Sequence, residues 1–171
     1  MTPRSERTIR QIRLVAAFDH RDIFIDPNPN DLEKTWQERK RLFELGRSSW
    51  QDYDKSLISK GGGIFPRSAK SIKLSDEIRE LTGLTGNTAS ATNLIRALLK
   101  ANVELMWFGG IGTYIKASSE QNYQVGDKAN DALRIDANEL NTKVIGEGAN
   151  LGVTQAARIE YARNGGRVNA D

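Results

Sequence analysis

The fold is decided by the stretch VELMWFGGIGT at residues 103–113. Its first six residues are mostly large and apolar, which is typical of a buried β-strand. The next five, Gly109 to Thr113, include three glycines and form a turn. Because glycine lets the backbone approach another molecule closely, a strand that runs directly into this turn predicts a ligand-facing loop at its carboxyl end.

Working outward from this stretch, strands alternate with helices. The preceding helix is expected over Ala89–Ala101, where Leu94, Ile95, Leu98 and Leu99 share one face. Downstream, we expect a helix over Asp127–Leu140, a short strand at Lys143–Ile145, a second glycine turn at Gly146–Asn150, a helix over Thr154–Asn164 and a strand at Arg167–Asn169. This alternation predicts an α/β fold with a mostly parallel, buried sheet.

The amino-terminal half contains a third strand of the same kind. The apolar run Ile12–Phe18 predicts a buried strand that ends in the polar loop Asp19-His20. Ile23–Ile25 is a brief extended segment, and the triple glycine at residues 61–63 permits positive φ or close backbone approach. Helices are expected over Leu32–Leu45, capped by Asn30 or Asp31 and ended by Gly46, and over Ile78–Leu81, started by Ser75.

Composition limits the possible functions. The chain has 171 residues, 38% hydrophobic and 27% charged, which fits one globular domain. With no cysteine and a single histidine, the chain has no disulfide, thiolate zinc site, cysteine nucleophile or histidine cluster. The mean hydropathy of −0.55 and the lack of a long apolar run argue against a membrane helix, and residues 1–11 are too polar for a signal peptide. We therefore expect a soluble, cytoplasmic protein with no membrane partner.

The net charge of +3 is a weak signal for nucleic acid. The basic residues lack the aromatic interleaving of single-strand binders, so a solvated face is the favoured interpretation and no nucleic-acid partner is expected. The alternative, a nucleic-acid-binding domain, rests on a pI near 9.2 and predicts binding that depends steeply on salt.

Three predicted strands end in loops suited to a ligand. These are Asp19-His20, Gly109–Thr113 and Gly146–Asn150. In an open parallel sheet, ligands bind beyond the carboxyl ends of the strands, where a carboxylate can accept the hydroxyls of a ribose. The alternative is that the glycines only form turns and that Asp19 is a helix cap or a solvated loop residue.

Two further sets of residues suggest chemistry only at first sight. His20 is the only histidine, but a lone histidine beside charged loop residues is more typical of a structural or solvent-facing position than of catalysis. Asp127, Asp131 and Asp136 alternate with Lys128 and Arg134, which favours a solvated or interface face of a helix over a metal site. No catalytic residue and no metal is assigned.

Four long segments carry a family resemblance. They are Ala16–Pro29, Trp107–Tyr114, Gly126–Arg134 and Gly146–Gln155. Together they closely resemble the large bacterial NAD-specific glutamate dehydrogenases, and the resemblance covers nearly the whole chain. Glu147-Gly148-Ala149-Asn150 is also similar to a nicotinamide-side motif of smaller glutamate dehydrogenases.

The resemblance implies a function for the parent enzyme. It implies oxidative deamination of L-glutamate to 2-oxoglutarate and ammonia with NAD as cofactor, in an enzyme expected to be a homo-oligomer. This chain resembles the cofactor domain, a Rossmann-like three-layer domain. By the match, Asp19 lies at the adenosine ribose, Gly109 and Gly110 line the dinucleotide, and Asn150 lies near the nicotinamide ribose. The complete set of candidate cofactor-binding residues is Asp19, His20, Gly109, Gly110, Ile111, Gly148 and Asn150.

The chain also departs from the family pattern. The first strand and its glycine fingerprint should precede Ile12, but residues 1–11 contain no glycine and are interpreted as an N-terminal extension or added residues. Residues 12–171 are then a partial NAD-binding domain, with residues 48–88 a family-specific elaboration. Nothing matches the family's catalytic lysine and aspartate, so the isolated chain is expected to bind NAD weakly and not to turn over glutamate. The alternative is a non-catalytic nucleotide-binding regulatory or interaction module.

Overall fold

The chain divides into two compact units in a computed structural model that describes residues 10–149 and 151–170. The first unit extends to Ala91 and the second begins at Thr92. The described residues include five α-helices and ten short strands, so the fold belongs to the α/β class as expected. No helix within these residues has both the length and the apolar character needed to cross a membrane.

The first unit is built on an antiparallel sheet of three strands. These are β1 (Ala16–Phe18), β2 (Asp22–Ile25) and β3 (Gly63–Pro66), in the order β1-β2-β3. A second antiparallel pair joins β4 (Ile72–Lys73) to β5 (Thr88–Ala89), and the helices are α1 (Leu32–Glu44) and α2 (Asp76–Thr82). Two 3₁₀ turns lie at Trp50–Asp52 and Lys55–Leu57.

An aromatic cluster forms the centre of the first unit. Phe24 on β2 is 1% exposed, and its ring centroid lies 4.5 Å from that of Trp50 and 4.9 Å from that of Tyr53. Gly62 lies so close to β2 that an added Cβ would be 2.5 Å from the carbonyl oxygen of Ile25. The triple glycine therefore supplies the close backbone approach that the sequence predicts.

The second unit is built on a parallel sheet. Its strands are β6 (Leu105–Phe108), β7 (Ile115–Lys116), β8 (Ile135–Asp136), β9 (Val144–Glu147) and β10 (Arg167–Ala170), and its helices are α3 (Ala91–Leu99), α4 (Asn122–Val125) and α5 (Gln155–Arg163). The sheet has the order β10-β9-β6, and β7 pairs with β8 in a separate parallel ladder. The connection from β9 through α5 to β10 is a βαβ unit, which explains the parallel pairing.

Two sequence expectations need correction. The predicted parallel sheet is confirmed only in the second unit, because β1 turns back at once and pairs antiparallel with β2. The helix predicted over residues 127–140 is wrong: this segment contains a 3₁₀ turn at Lys128–Asn130, strand β8 and another 3₁₀ turn at Ala137–Glu139. Pairing of Ile135 with Ile115 and bonds from Arg134 to other segments replace the helical hydrogen bonds.

The two faces of the parallel sheet differ in exposure. Ile145 is fully buried on one face, whereas Leu105 and Trp107 on the other are 48% and 63% exposed. Parallel sheets usually bury both faces. The expectation of a mostly buried sheet therefore holds for one face of this unit.

Candidate functional site

Two glycine-bearing turns leave the same edge of the parallel sheet. β6 ends at Phe108 and β9 ends at Glu147, and these two residues are paired in register. The amide of Gly148 donates to the carbonyl of Phe108 at 2.9 Å, so the two turns begin side by side, the first at residues 109–113 and the second, as far as it is described, at residues 148–149 and 151–152. The second turn starts later than the predicted Gly146–Asn150, because Gly146 and Glu147 belong to β9. The position of the two turns beyond the carboxyl ends of parallel strands is the one where α/β sheets bind ligands.

The first turn leaves its backbone open. An added Cβ on Gly110 would meet nothing within 4 Å, and the next residue, Ile111, is 93% exposed. Gly112 has a φ of +114°, a conformation that L side chains rarely adopt, which explains why a glycine precedes Thr113. Gly109 and Gly110 are both exposed, but an added Cβ on Gly109 would lie 3.1 Å from Trp107 Nε1, so the backbone open to close approach by a ligand is that of Gly110.

Gly146, which lies in β9, and Gly148, which begins the second turn, are glycines for a different reason. The indole of Trp107 lies across Gly146 and Gly148: an added Cβ would be 2.6 Å from Trp107 Cε3 at Gly146 and 3.0 Å from Trp107 Cζ2 at Gly148. The sequence interpretation assigned the missing side chain of Gly148 to a ligand, whereas the structure places an aromatic ring there. The next turn residue in the candidate set, Asn150, lies outside the described residues.

A buried arginine anchors the first turn. Arg134 has a fully buried side chain, and its Nε donates to the carbonyl of Thr113 at 3.0 Å. Its Nη1 donates to carboxylate Oδ1 of Asp131 at 2.5 Å, and its Nη2 donates to the carbonyl of Asp127 at 2.6 Å. A buried guanidinium is tolerated only when its donors are used in this way.

Asp127 completes this anchor. Its Oδ2 accepts the amide of Thr113 at 2.8 Å and the side-chain amide of Asn130 at 2.8 Å. The bond from the Thr113 amide holds the pKa of the Asp127 carboxyl below its ordinary value. Asp127 does not lie on the face of a helix, solvated or interface, because the predicted helix is absent and its carboxylate holds the first turn instead. The missed signal was the position of the Gly126–Arg134 segment within the family resemblance.

A second buried charge lies where β9 ends. Glu147 is 2% exposed, and its Oε2 pairs with Nη2 of Arg158 on α5. The other oxygen, Oε1, is buried without a hydrogen-bond partner among the described residues. An added Cβ on Gly152 would lie 2.8 Å from this oxygen, so Glu147 packs against the second turn from inside the unit.

Asp19 and His20 belong to the first unit. They occupy the turn between β1 and β2, where Oδ1 of Asp19 accepts the amides of Arg21 at 2.7 Å and of Asp22 at 2.9 Å. Asp19 therefore ends an antiparallel hairpin strand, not the parallel strand that the sequence predicted. His20 is exposed at the turn.

The cavity of about 530 Å³ in the second unit is not lined by the candidate residues. It lies at the amino ends of β9 and β10, with Tyr161, Asn164 and Arg167 in its lining. We place the site at the opposite edge, since open glycine backbone and the rule for parallel sheets both favour the carboxyl ends. Within residues 10–149 and 151–170, no three His, Cys, Asp or Glu side chains are grouped to hold a metal ion.

Comparison with known proteins gives matches over almost the whole chain. Residues 7–171 match the family model described as bacterial NAD-glutamate dehydrogenase, catalytic domain. The chain is 55% identical over 168 residues to the NAD-specific glutamate dehydrogenase of Mycobacterium tuberculosis, and 56% identical over 161 residues to those of Halomonas elongata and Pseudomonas aeruginosa. These matches cover 94–95% of this chain and 10% of each relative, so the chain spans about a tenth of the length of these relatives.

Proposed function

Because this chain belongs to the bacterial NAD-glutamate dehydrogenase family, we propose that its parallel unit binds the dinucleotide NAD at the carboxyl edge of β6 and β9. The observation that carries the proposal is the register that pairs Phe108 with Glu147, since it starts both glycine turns at one edge. In the parent enzyme, the proposed reaction converts L-glutamate, NAD and water to 2-oxoglutarate, ammonia and NADH.

The residues of the first turn fit a dinucleotide. The open space at Gly110 lets main-chain amides reach a phosphate or a ribose, and the exposed Ile111 supplies an apolar contact for a ring or sugar. NAD, when bound, supplies the acceptor for hydride from the substrate Cα. The contribution of this chain is to bind and orient the dinucleotide, and rigid orientation is a large part of catalysis in such reactions.

The second turn has a proposed role as well. Gly148 and Asn150 are proposed to contact the nicotinamide end, as the family resemblance implies.

For Asp19 and His20 in the first unit, contact with an adenosine ribose stays a prediction of the family resemblance, in which the Asp19 carboxylate favours NAD by repelling a 2′-phosphate. Only Oδ1 of Asp19 accepts the two backbone bonds described above, so the carboxylate retains acceptor capacity for a hydroxyl.

We further propose that the isolated chain does not turn over glutamate. The family resemblance assigns the catalytic lysine and aspartate to a substrate domain, and no segment of this chain resembles their motifs. The chain therefore contributes cofactor binding to a larger enzyme, whose substrate is bound elsewhere.

The test is a titration of the full-length protein with NADH, with Gly110→Ala as the variant. The new methyl has room in the protein, so the melting temperature should stay unchanged while the Kd for NADH rises by about tenfold, the equivalent of roughly 1.4 kcal/mol. Gly46→Ala in the first unit is the matched control, because its Cβ also meets nothing within 4 Å. An unchanged Kd in Gly110→Ala would refute the proposed site.

A further inference from the structure

We propose that Thr113 is a positioning residue that fixes the two glycine turns relative to each other, and that Asp127 and Arg134 hold it in place. This proposal rests on the proposed NAD site and assigns roles that neither the motif nor the sheet topology requires. Thr113 is 5% exposed, so it acts from within the protein and not by direct contact with a ligand.

The hydroxyl of Thr113 joins the two turns directly. Its Oγ1 donates to the carbonyl oxygen of Leu151 at 2.7 Å. Thr113 ends the first turn, and Leu151 lies in the second. Two main-chain bonds continue the contact, from the amides of Tyr114 and Ile115 to the carbonyl of Gly152 at 2.9 and 3.2 Å. The side-chain bond is therefore the link nearest to the open ends of both turns.

Thr113 is itself held from the opposite side. Its amide donates to Oδ2 of Asp127, and its carbonyl accepts from Nε of Arg134. Every polar group of Thr113 is thus paired, the main chain with charged side chains and the hydroxyl with the second turn. Two charged residues, one of them fully buried, converge on the main chain of one threonine.

This arrangement matters because both turns are proposed to contact one dinucleotide. The main-chain contacts of a cofactor work only when its ring and sugar are held in one orientation, and a displacement of about 1 Å can cost about a hundredfold in rate. Releasing the carbonyl of Leu151 frees the second turn to shift relative to the first. The fold should persist, since the two main-chain bonds to Gly152 remain.

The sharpest test compares Thr113→Val with Tyr161→Phe in the full-length enzyme. Thr113→Val removes the hydroxyl with little change of shape. Tyr161→Phe removes a buried hydroxyl that donates to the carbonyl of Thr142, also at 2.7 Å, at the other edge of the same sheet. Both variants lose one hydrogen bond of the same length, part-buried at Thr113 and buried at Tyr161, so the melting temperature should fall in both and at least as far in Tyr161→Phe.

The variants should differ in cofactor binding. We expect Thr113→Val to raise the Kd for NADH and the KM for NAD by about tenfold while the KM for glutamate stays unchanged. A loss of stability alone would not change the two KM values differently. Tyr161→Phe should keep the wild-type Kd. Thr113→Ser, which retains the hydroxyl, should restore NADH binding to within about twofold of wild type. If Thr113→Val does not fold, Thr113→Ala replaces it in the comparison with Thr113→Ser.

The outcomes separate this proposal from the proposed NAD site. If Gly110→Ala weakens NADH binding but Thr113→Val behaves like Tyr161→Phe, the role of Thr113 is refuted and the site stands. If neither Gly110→Ala nor Thr113→Val changes NADH binding, the site itself is refuted and the positioning role falls with it. Weakened binding in both Gly110→Ala and Thr113→Val, with recovery in Thr113→Ser, supports both.

Discussion

The two units of this chain contain similar strand endings in two different kinds of sheet, one antiparallel and one parallel. In the first unit, β1 ends at Phe18 and the chain returns as β2 at Asp22, so Asp19 closes a hairpin with its own carboxylate. In the second, β6 ends at Phe108 and its glycine turn leads away from the sheet, which resumes with β9. A polar or glycine-rich ending is therefore not enough to show that a strand belongs to a parallel sheet.

Strand direction makes the difference. Antiparallel neighbours place the end of one strand beside the start of the next, whereas parallel neighbours place like ends together. Among the described residues, only the second unit collects the like ends of neighbouring strands at one edge of one sheet: β6, β9 and β10 end side by side at Phe108, Glu147 and Ala170. The units also differ inside: an aromatic cluster around Phe24 centres the first, and a buried guanidinium, Arg134, anchors the second.

The largest loss of stability is expected when the buried arginine of the second unit is replaced. Arg134→Met should reduce the free energy of unfolding of the second unit by about 3–5 kcal/mol, because it leaves buried partners such as the Thr113 carbonyl and Asp131 unpaired. Arg79→Met in the first unit removes a pair with the exposed Asp76 and should cost less than about 1 kcal/mol. Native-state hydrogen exchange measures each unit separately. Equal losses from the two substitutions would contradict the comparison.

A smaller loss of stability is expected when a closely packed glycine of the first unit is replaced by alanine. Gly62→Ala in the first unit should cost about 1–3 kcal/mol of stability, since its Cβ would lie 2.5 Å from the Ile25 carbonyl oxygen and 2.6 Å from Ile58 Cγ2. Gly46→Ala, with open space, serves as its control and should be neutral or stabilising by up to about 1 kcal/mol. Urea unfolding measures both. The comparison holds if Gly62→Ala costs stability and Gly110→Ala costs only NADH affinity; a stable Gly62→Ala would break it.

The smallest effects appear at opposite ends of the pH scale. Burial raises the pKa of Tyr53 in the first unit from 10.0 to about 12, so wild type should lose stability relative to Tyr53→Phe as the pH rises from 10.0 to about 12.

In the second unit the pKa of Asp127 is lowered, so the greater stability of wild type over Asp127→Asn should be present at neutral pH and disappear as the pH falls below about 4. Thermal unfolding across pH measures both differences, and a difference that stays constant with pH would contradict the assigned anchor.

Local features could be predicted from the sequence because their physics is local. Asp31 caps α1 by accepting the amide of Lys34, Ser75 caps α2 by accepting that of Ile78, and Thr154 caps α5 by accepting that of Ala157. Each bond joins residues three apart in the chain, so the residue type alone indicates it. Strands β2, β6 and β9 were predicted within a few residues, because each contains a short run of consecutive apolar residues, which is also a local signal.

The hairpin of the first unit was within reach of the sequence. Only Asp19, His20 and Arg21 separate β1 from β2, and a parallel connection needs a dozen residues or more. The short spacing between Phe18 and the extended segment Ile23–Ile25 was the available signal for an antiparallel return. It would have removed Asp19 from the set of parallel strand ends.

Local patterns were enough to predict the α/β class, the positions of most helices and strands, and the glycine turns that follow β6 and β9. Contacts between distant segments explain why residues 127–140 are not a helix, because Asp127 and Arg134 bond to Thr113 and Ile135 pairs with Ile115. A contact of the same kind explains Gly148, which makes room for Trp107. These outcomes depend on groups far apart in the chain, whose hydrogen bonds and packing override local propensity only once the strands are paired.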